Sequence, residues 1–304
     1  MRHLFLVALT SASLFSGVYN LKPIKVTKDI TCVIGDFNPP TKQNLGFVSN
    51  TCYVDMGNSL VALDAGPTYE FAKEFYTLIH KEYPNKRVKA VVLTNFHDDR
   101  VLGASFFKEL GVKIIGYKNL NDEIKKYKQK FDRMLKIVPK DVYKKTKLVY
   151  ADTLVDNGYE IKGSKKSLKI IKPSKVSEEA SDIALFSKAD SFVFAGNMVF
   201  NRRMLNYREE SNVDGWIKAL EKIKSLNAKY VFAGHGDDYS KDSYKITLDY
   251  LKTIKAGVQK AIKKDIDDTD LVSFIDTKSF KKLKHFKSLN YRAIQNYYEQ
   301  LQWK

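Results

Sequence analysis

The stretch VLTNFHDDRVLG, residues 92–103, closes a run of β-branched and apolar residues on a polar knot of Asn95, His97, Asp98, Asp99 and Arg100. An imidazole and carboxylates this close together could ligate a divalent ion or move a proton. A neutral amide is a weak ligand beside them, and a guanidinium repels a divalent ion. Four other residue groups share the placement just past an apolar run: Asp64 in ALDAG, Glu178 and Glu179 in SEEASDI, Asn197 in FAGN and His235 in FAGHG. A plainer reading stands beside the chemical one. His97 and His235 would hydrogen-bond ordinary loops, and Asp98 and Asp99 would cap a helix starting at Val101.

The elements that must carry these residues alternate along the chain. Strand-like runs ITCVIGDF, GFVSNTCYVDM and SLVALDAG lead into PTYEFAKEFYTLIHKEY, where Phe71, Phe75, Leu78 and Ile79 share one helical face behind Pro67. RVKAVVLTN predicts the strand ahead of the knot, 101–110 a helix, VKIIGY a strand and 119–136 a Lys-rich helical stretch. In the second half TLVDNGYEI, SLKIIKP, SDIALFS and SFVFAGN are short strands. Trp216, Leu220 and Ile223 mark a helix before the strand AKYVFAGHG. From about 240 the tail is helical, with Tyr244, Leu248, Leu251, Val258 and Ile262 at helical spacing. Hairpins and αβ units in both halves predict an α+β fold, two mixed β-sheets face to face with helices outside. The chemistry-bearing stretches then fall at strand ends, where ligands converge in layered folds.

Composition bounds the rest. With 304 residues, 44% hydrophobic and 12% aromatic, the chain can bury a large core, which excludes a disordered protein. Lys and Arg number 52 against 35 acidic residues, an excess that steers anionic molecules toward the surface. The lysines are spread along the chain, and the densest piece, KSFKKLKHFKSLNYR, reads as a solvated helical face, so no nucleic-acid partner is expected. Residues 1–18 read as a secretory signal peptide, with an apolar stretch over 4–15 and small residues at Ser16 and Gly17. This predicts a mature chain of 19–304 that is periplasmic or secreted. No later segment approaches the roughly 20 apolar residues of a membrane span. Cys32 and Cys52 lie in neighbouring strand-like runs, and a disulfide or a pair of buried thiols both fit.

In order and surroundings, LDAG, TNFHDDR, SEEAS with FAGN, and FAGHG resemble the metallo-β-lactamase superfamily over most of the mature chain. The tail pieces TLDYLKTIKAGVQKAIKK and LNYRAIQNYYEQL resemble its exported branch associated with sulfur oxidation and quinoprotein systems. The resemblance implies an αββα four-layer sandwich with zinc at one edge of the sheets. The zinc would be held by His-x-His-x-Asp-His, a later His, an Asp or Cys and a final His. Placed on this chain, the first motif becomes Asn95, His97, Asp99 and Arg100. Glu178 takes the later His position, or Glu179 with a slip of one residue. Asn197 replaces the bridging acid, His235 is the final His, and Asp64 matches the structural Asp beneath the site.

His97, Asp99 and His235 are therefore the candidate metal and catalytic residues. Asn95, Glu178 and Asn197 are poor substitutes as ligands, and Asp64 and Arg100 are supporting residues. At most one zinc ion is expected. The mono-zinc subclass resembles Asn-x-His-x-Asp-Arg and holds its metal on the Asp, a Cys and the last His, which implies His97 as a general base here. Two functions follow from the resemblance. One is an exported hydrolase of reduced metal content acting on an unidentified small molecule. The other is a non-catalytic binding or accessory protein beside a periplasmic redox partner.

Overall fold

The computed structural model describes residues 17–302; residues 1–16, most of the expected export signal, lie outside the described residues. The first sheet has seven strands in sequential order: β1 (Pro23–Thr27), β2 (Ile30–Val33), β3 (Thr51–Asp55), β4 (Leu60–Leu63), β5 (Val88–Leu93), β6 (Lys113–Tyr117) and β7 (Thr153–Val155). β1 to β4 pair antiparallel and β4 to β7 parallel. The change falls where α1 (Tyr69–Glu82) makes the β4–β5 connection, because a parallel pair needs a long crossover.

Five strands form the second sheet, β8 (Glu160–Lys162), β9 (Ser167–Ile171), β10 (Ala184–Ser187), β11 (Phe192–Phe194) and β12 (Tyr230–Phe232). Only β11 and β12 are parallel, again across a helix, α7 (Val213–Ser225). Between α1 and α7 lie α2 (Asp98–Val101), α3 (Ala104–Glu109), α4 (Leu120–Lys126), α5 (Asp132–Ile137) and α6 (Lys140–Tyr143). The tail adds α8 (Lys245–Lys263), α9 (Leu271–Phe274) and α10 (Phe286–Gln302).

Three apolar clusters make this the expected αββα sandwich. Val54, Leu63, Val92, Leu185 and Phe194 fill the space between the sheets. Phe71, Phe75 and Ile79 of α1 cover the outside of the first sheet. Trp216, Leu220 and Ile223 of α7, with Leu251 of α8 and Ile294 of α10, cover the second. Each fully buried side chain of this size contributes about 1.5–3 kcal/mol, so the helices are held by their apolar stripe rather than by propensity. Among the described residues no helix is long and apolar enough to cross a membrane.

Two helices depart from expectation. The 101–110 helix starts earlier, at Asp98, and breaks between α2 and α3 at Gly103. There the Gly103 amide donates to the Gly66 carbonyl, and a Cβ would lie 2.0 Å from the Ala65 carbonyl oxygen. The close approach of the two loops requires glycine. The 119–136 stretch divides into α4, a 3₁₀ turn over Lys128–Phe131 and α5. Its lysines repel one another and few apolar residues anchor it, so no continuous stripe enforces one helix.

Cys32 and Cys52 sit directly opposite each other on β2 and β3 and form a disulfide, with Cα atoms 4.0 Å apart. The bond closes a loop across a sequence separation of 20, and the entropic model assigns such a closure about 3 kcal/mol. The double substitution Cys32→Ser and Cys52→Ser is expected to lower the unfolding free energy by about that amount, measured by urea denaturation. A loss within error of zero would show that sheet pairing alone fixes this loop.

Candidate functional site

The candidate residues converge on the loops that follow β4, β5, β11 and β12 and on the connection between β9 and β10. Asp64, directly after β4, is completely buried and has a φ of 64°, in the left-handed region that costs a non-glycine residue free energy. Its carboxylate holds the loop after β5, accepting from the Thr94 amide at 2.7 Å and the Thr94 hydroxyl at 2.8 Å. The same carboxylate pairs with the Arg100 guanidinium, which is itself completely buried. Burial pushes the Asp64 carboxyl up, and Arg100 with the Thr94 donors pulls it back.

Arg100 is the hub. Its Nε donates to Asn197 Oδ1 at 2.8 Å, and its Nη2 reaches both that oxygen and the Gly234 carbonyl, the latter at 3.1 Å. The guanidinium points inward, onto the buried Asp64 carboxylate.

The amide of Asn197 is oriented by Arg100, so its Nδ2 faces His97 Nδ1 at 2.7 Å and donates to it. His97 therefore carries its proton on Nε2, which donates to Glu179 Oε1 at 3.0 Å. Both ring nitrogens are engaged, and neither is free to act as the general base that resemblance implied. Burial and the neighbouring Arg208 keep the His97 pKa well below the usual histidine range.

Asn95 lies apart from this line. Its Oδ1 accepts from the His97 amide and its Nδ2 donates to Asp182 Oδ1, both at 3.0 Å, which makes it a turn residue. Asp182 also accepts from the Ser177 hydroxyl and the Glu179 amide at 2.8 Å, shaping the loop that aims Glu179 at His97. Glu178 sits one step away: its Oε2 is buried without a partner, and its Oε1 stands 3.8 Å from Arg208 Nε. The slip of one residue is thus the arrangement in which a 178–179 carboxylate meets His97.

Asp99 and His235 form a second, looser pair, Oδ2 to Nε2 at 3.8 Å. His235 Nδ1 donates to the Val48 carbonyl at 2.7 Å and the ring stacks on Phe200 at 4.7 Å, so the Nε2 lone pair faces Asp99. Burial and the Arg203 guanidinium hold this histidine well below its usual pKa. Sequence reading missed Arg203 and Arg208, which come from an irregular segment with no motif to flag them. Asp98, the remaining acid of the knot, is taken by Arg133 at 2.9 and 2.6 Å.

These residues do not fit a two-zinc centre. A catalytic zinc takes three good protein ligands. Here Asn197 and His97 are committed to hydrogen bonds, and a guanidinium stands among the donors. Among the described residues no group of three or more His, Cys, Asp or Glu side chains is arranged to hold a metal. Asp99 with His235 offers two donors.

Above His97 opens a cleft of about 560 Å³, lined by Phe96, Lys130, Arg133, Lys136 and Arg208, with Asp98 and Asp132 among its acids. A wider groove of about 970 Å³ runs along α10, away from the residues just described. Of these two, the cleft over His97 is the one in contact with the site.

Glu179 supplies a pH test. Burial, reinforced by Asp182, raises its pKa from the usual 4.5 to about 8. The folded protein then binds a proton that the unfolded chain has lost, so this group's contribution falls as pH rises from 4.5 toward 8. His97 and His235, with lowered pKa values, act in the opposite sense. The difference between the wild type and Glu179→Gln therefore isolates the carboxyl. The variant is expected to gain stability relative to wild type by several kcal/mol between acid and pH 8, followed by urea unfolding across pH. A difference independent of pH would place the proton elsewhere.

Comparison with known proteins agrees with this architecture. The chain is 24% identical over 249 residues to the metallo-beta-lactamase type 2 of Elizabethkingia meningoseptica, covering 81% of this chain and 91% of that protein. It is 23% identical over 248 residues to the beta-lactamase-like protein 2 homolog of Caenorhabditis elegans, covering 78% and 75%. In fold it is similar to the metallo-beta-lactamase from Pontibacter korlensis, with a TM-score of 0.62 at 17% identity over 76% of this chain and 99% of that one. The sequence profile of the metallo-beta-lactamase superfamily matches residues 45–235, which spans both sheets from β3 to β12 and each site residue from Asp64 to His235. With this match over more than half of its length, and with the two mixed sheets and outer helices, the chain belongs to the metallo-beta-lactamase superfamily.

Proposed function

We propose that this chain is an exported binding or accessory member of its hydrolase-type superfamily, one that works without a two-metal centre. The observation that carries the reading is the buried Arg100 guanidinium, bonded to Asp64, Asn197 and the Gly234 carbonyl in the middle of the ligand positions. A fixed cation there supplies the positive charge that neutralises Asp64 and disfavours a divalent ion close by. The Cys32–Cys52 disulfide supports export, since such bonds persist in oxidising compartments.

The ligand we assign to the cleft is a small molecule with an acidic group and an apolar part. Arg133 pairs with Asp98 and Lys130 with Glu210, which leaves Lys136 and Arg208 against Asp132 among the lining residues, and Phe96 and Phe131 supply the apolar wall. Such a molecule would be bound and oriented rather than cleaved, because His97 offers no free lone pair. One specific observation favours a second reading, a hydrolase with a single weakly held ion: the His235 Nε2 lone pair faces Asp99 with no protein donor between them.

Metal analysis after equilibrium dialysis against zinc, with calorimetric titration of phenyl phosphate and benzyl alcohol, separates the readings. Less than one zinc per chain together with binding of phenyl phosphate but not benzyl alcohol supports the first. One tightly held ion favours the second, and two would overturn both.

A further inference from the structure

The matched family region ends at residue 235, yet the segment 284–300 makes a dense set of contacts with one stretch of the site. That stretch, residues 201–211, has no regular secondary structure and carries Arg203 and Arg208. The Met204 amide donates to the Lys284 carbonyl at 3.0 Å, and the Lys284 amide to the Arg202 carbonyl at 2.9 Å. Gln300 of α10 uses both ends of its side chain. Its Oε1 faces the Tyr207 hydroxyl at 2.5 Å, while its Nε2 donates to the carbonyls of Glu209 at 2.7 Å and Ser211 at 3.1 Å. Asn296 Nδ2 donates to the Tyr207 carbonyl at 3.3 Å, and Arg292 to Asn206 Oδ1 at 3.2 Å.

Ser211 continues the connection inward. Its hydroxyl donates to the Glu178 carbonyl and accepts from the Arg208 amide, both at 3.0 Å. Arg208 then stands 3.8 Å from Glu178 and Glu179, with its Nε buried and unpartnered, at the wall of the cleft over His97. An irregular segment cannot satisfy its own backbone or fix a long side chain. Here the satisfaction comes from Lys284 and from α10.

We propose that the C-terminal helix shapes the cleft from outside it, with Gln300 the positioning residue that holds Arg208 at the cleft wall. The role of Arg208 as a ligand contact rests on the binding function proposed above; the positioning itself does not. Gln300 acts through Tyr207, Glu209 and Ser211, and its amide is suited to this because it both accepts and donates. Glutamate at 300 would keep the acceptor and lose the donor, and alanine would lose both.

Phenylglyoxal labelling of Arg208, read by mass spectrometry and normalised to the exposed Arg87, tests the inference on the full mature chain. Gln300→Ala is expected to raise Arg208 labelling by about tenfold, with Gln300→Glu between it and the wild type and circular dichroism unchanged. Tyr207→Phe keeps the buried ring and removes a hydroxyl that bonds the Ser211 carbonyl at 3.0 Å as well as Gln300; it should raise labelling severalfold, and Gln300→Glu decides the matter if Gln300→Ala does not fold. Wild-type labelling of Arg208 in the folded variants would overturn the proposal. Titration of phenyl phosphate into the same proteins separates the two claims. Binding that weakens as labelling rises supports both, whereas increased labelling with no binding to any form keeps the positioning role and removes the ligand assignment.

Discussion

Arg100→Met is expected to lower the unfolding free energy by about 3–5 kcal/mol, the range for breaking one side of a buried ion pair. The substitution keeps side-chain volume and leaves Asp64 in the interior without its cation. It also strips Asn197 Oδ1 of its donors, and Asn197 is the residue that fixes the His97 ring. Arg100→Lys should recover only part of the loss. One ammonium cannot reach Asp64, Asn197 and the Gly234 carbonyl together as the planar fork does. Asp64→Asn should be comparably costly, because it strands the guanidinium and weakens the grip on Thr94. The measurement is urea unfolding of the three variants. A loss below about 1 kcal/mol for Arg100→Met would mean that the guanidinium is hydrated in solution and that the interior pair contributes little.

The second large effect comes from restoring ligands. Asn95→His, Arg100→His and Asn197→Asp, combined with Glu178→His or Glu179→His, is expected to create a site for two zinc ions. The substitutions exchange amides and a cation for groups that offer lone pairs and return a bridging carboxylate. The geometry separates the two versions. Glu179 reaches His97 Nε2 at 3.0 Å, while Glu178 has its Oε2 unpartnered, so the Glu179→His set should bind the first ion more tightly. Loss of Arg100 should also make folding metal-dependent. At a thousandfold excess of zinc over its dissociation constant, binding contributes about 4 kcal/mol, comparable to the lost ion pair. Equilibrium dialysis with metal analysis, and thermal unfolding with and without zinc, read both effects. Unchanged metal content in both sets would show that the strand-end loops no longer hold the family geometry.

Local sequence determined the scaffold. The apolar stripe of Phe71, Phe75 and Ile79 and that of Trp216, Leu220 and Ile223 specify α1 and α7. The short β-branched and aromatic runs specify the strands that carry every candidate residue to a sheet edge. Periodicity encodes these elements because each one needs only its own face buried. The Cys32–Cys52 pairing was open in sequence and was settled by register, since both fall opposite each other on β2 and β3.

Partners within the site were beyond local pattern. Arg100 joins Asp64, 36 positions away, and Asn197, 97 positions away. Glu179 rather than Glu178 meets His97 because Asp182 shapes their loop. Arg208 is set at the cleft by a helix some ninety residues along the chain, through Gln300. A residue's type states which hydrogen bonds and charges it can satisfy. Which one it takes depends on what burial places within reach, and for an ionisable group in a dry interior that choice decides both its protonation and its chemistry.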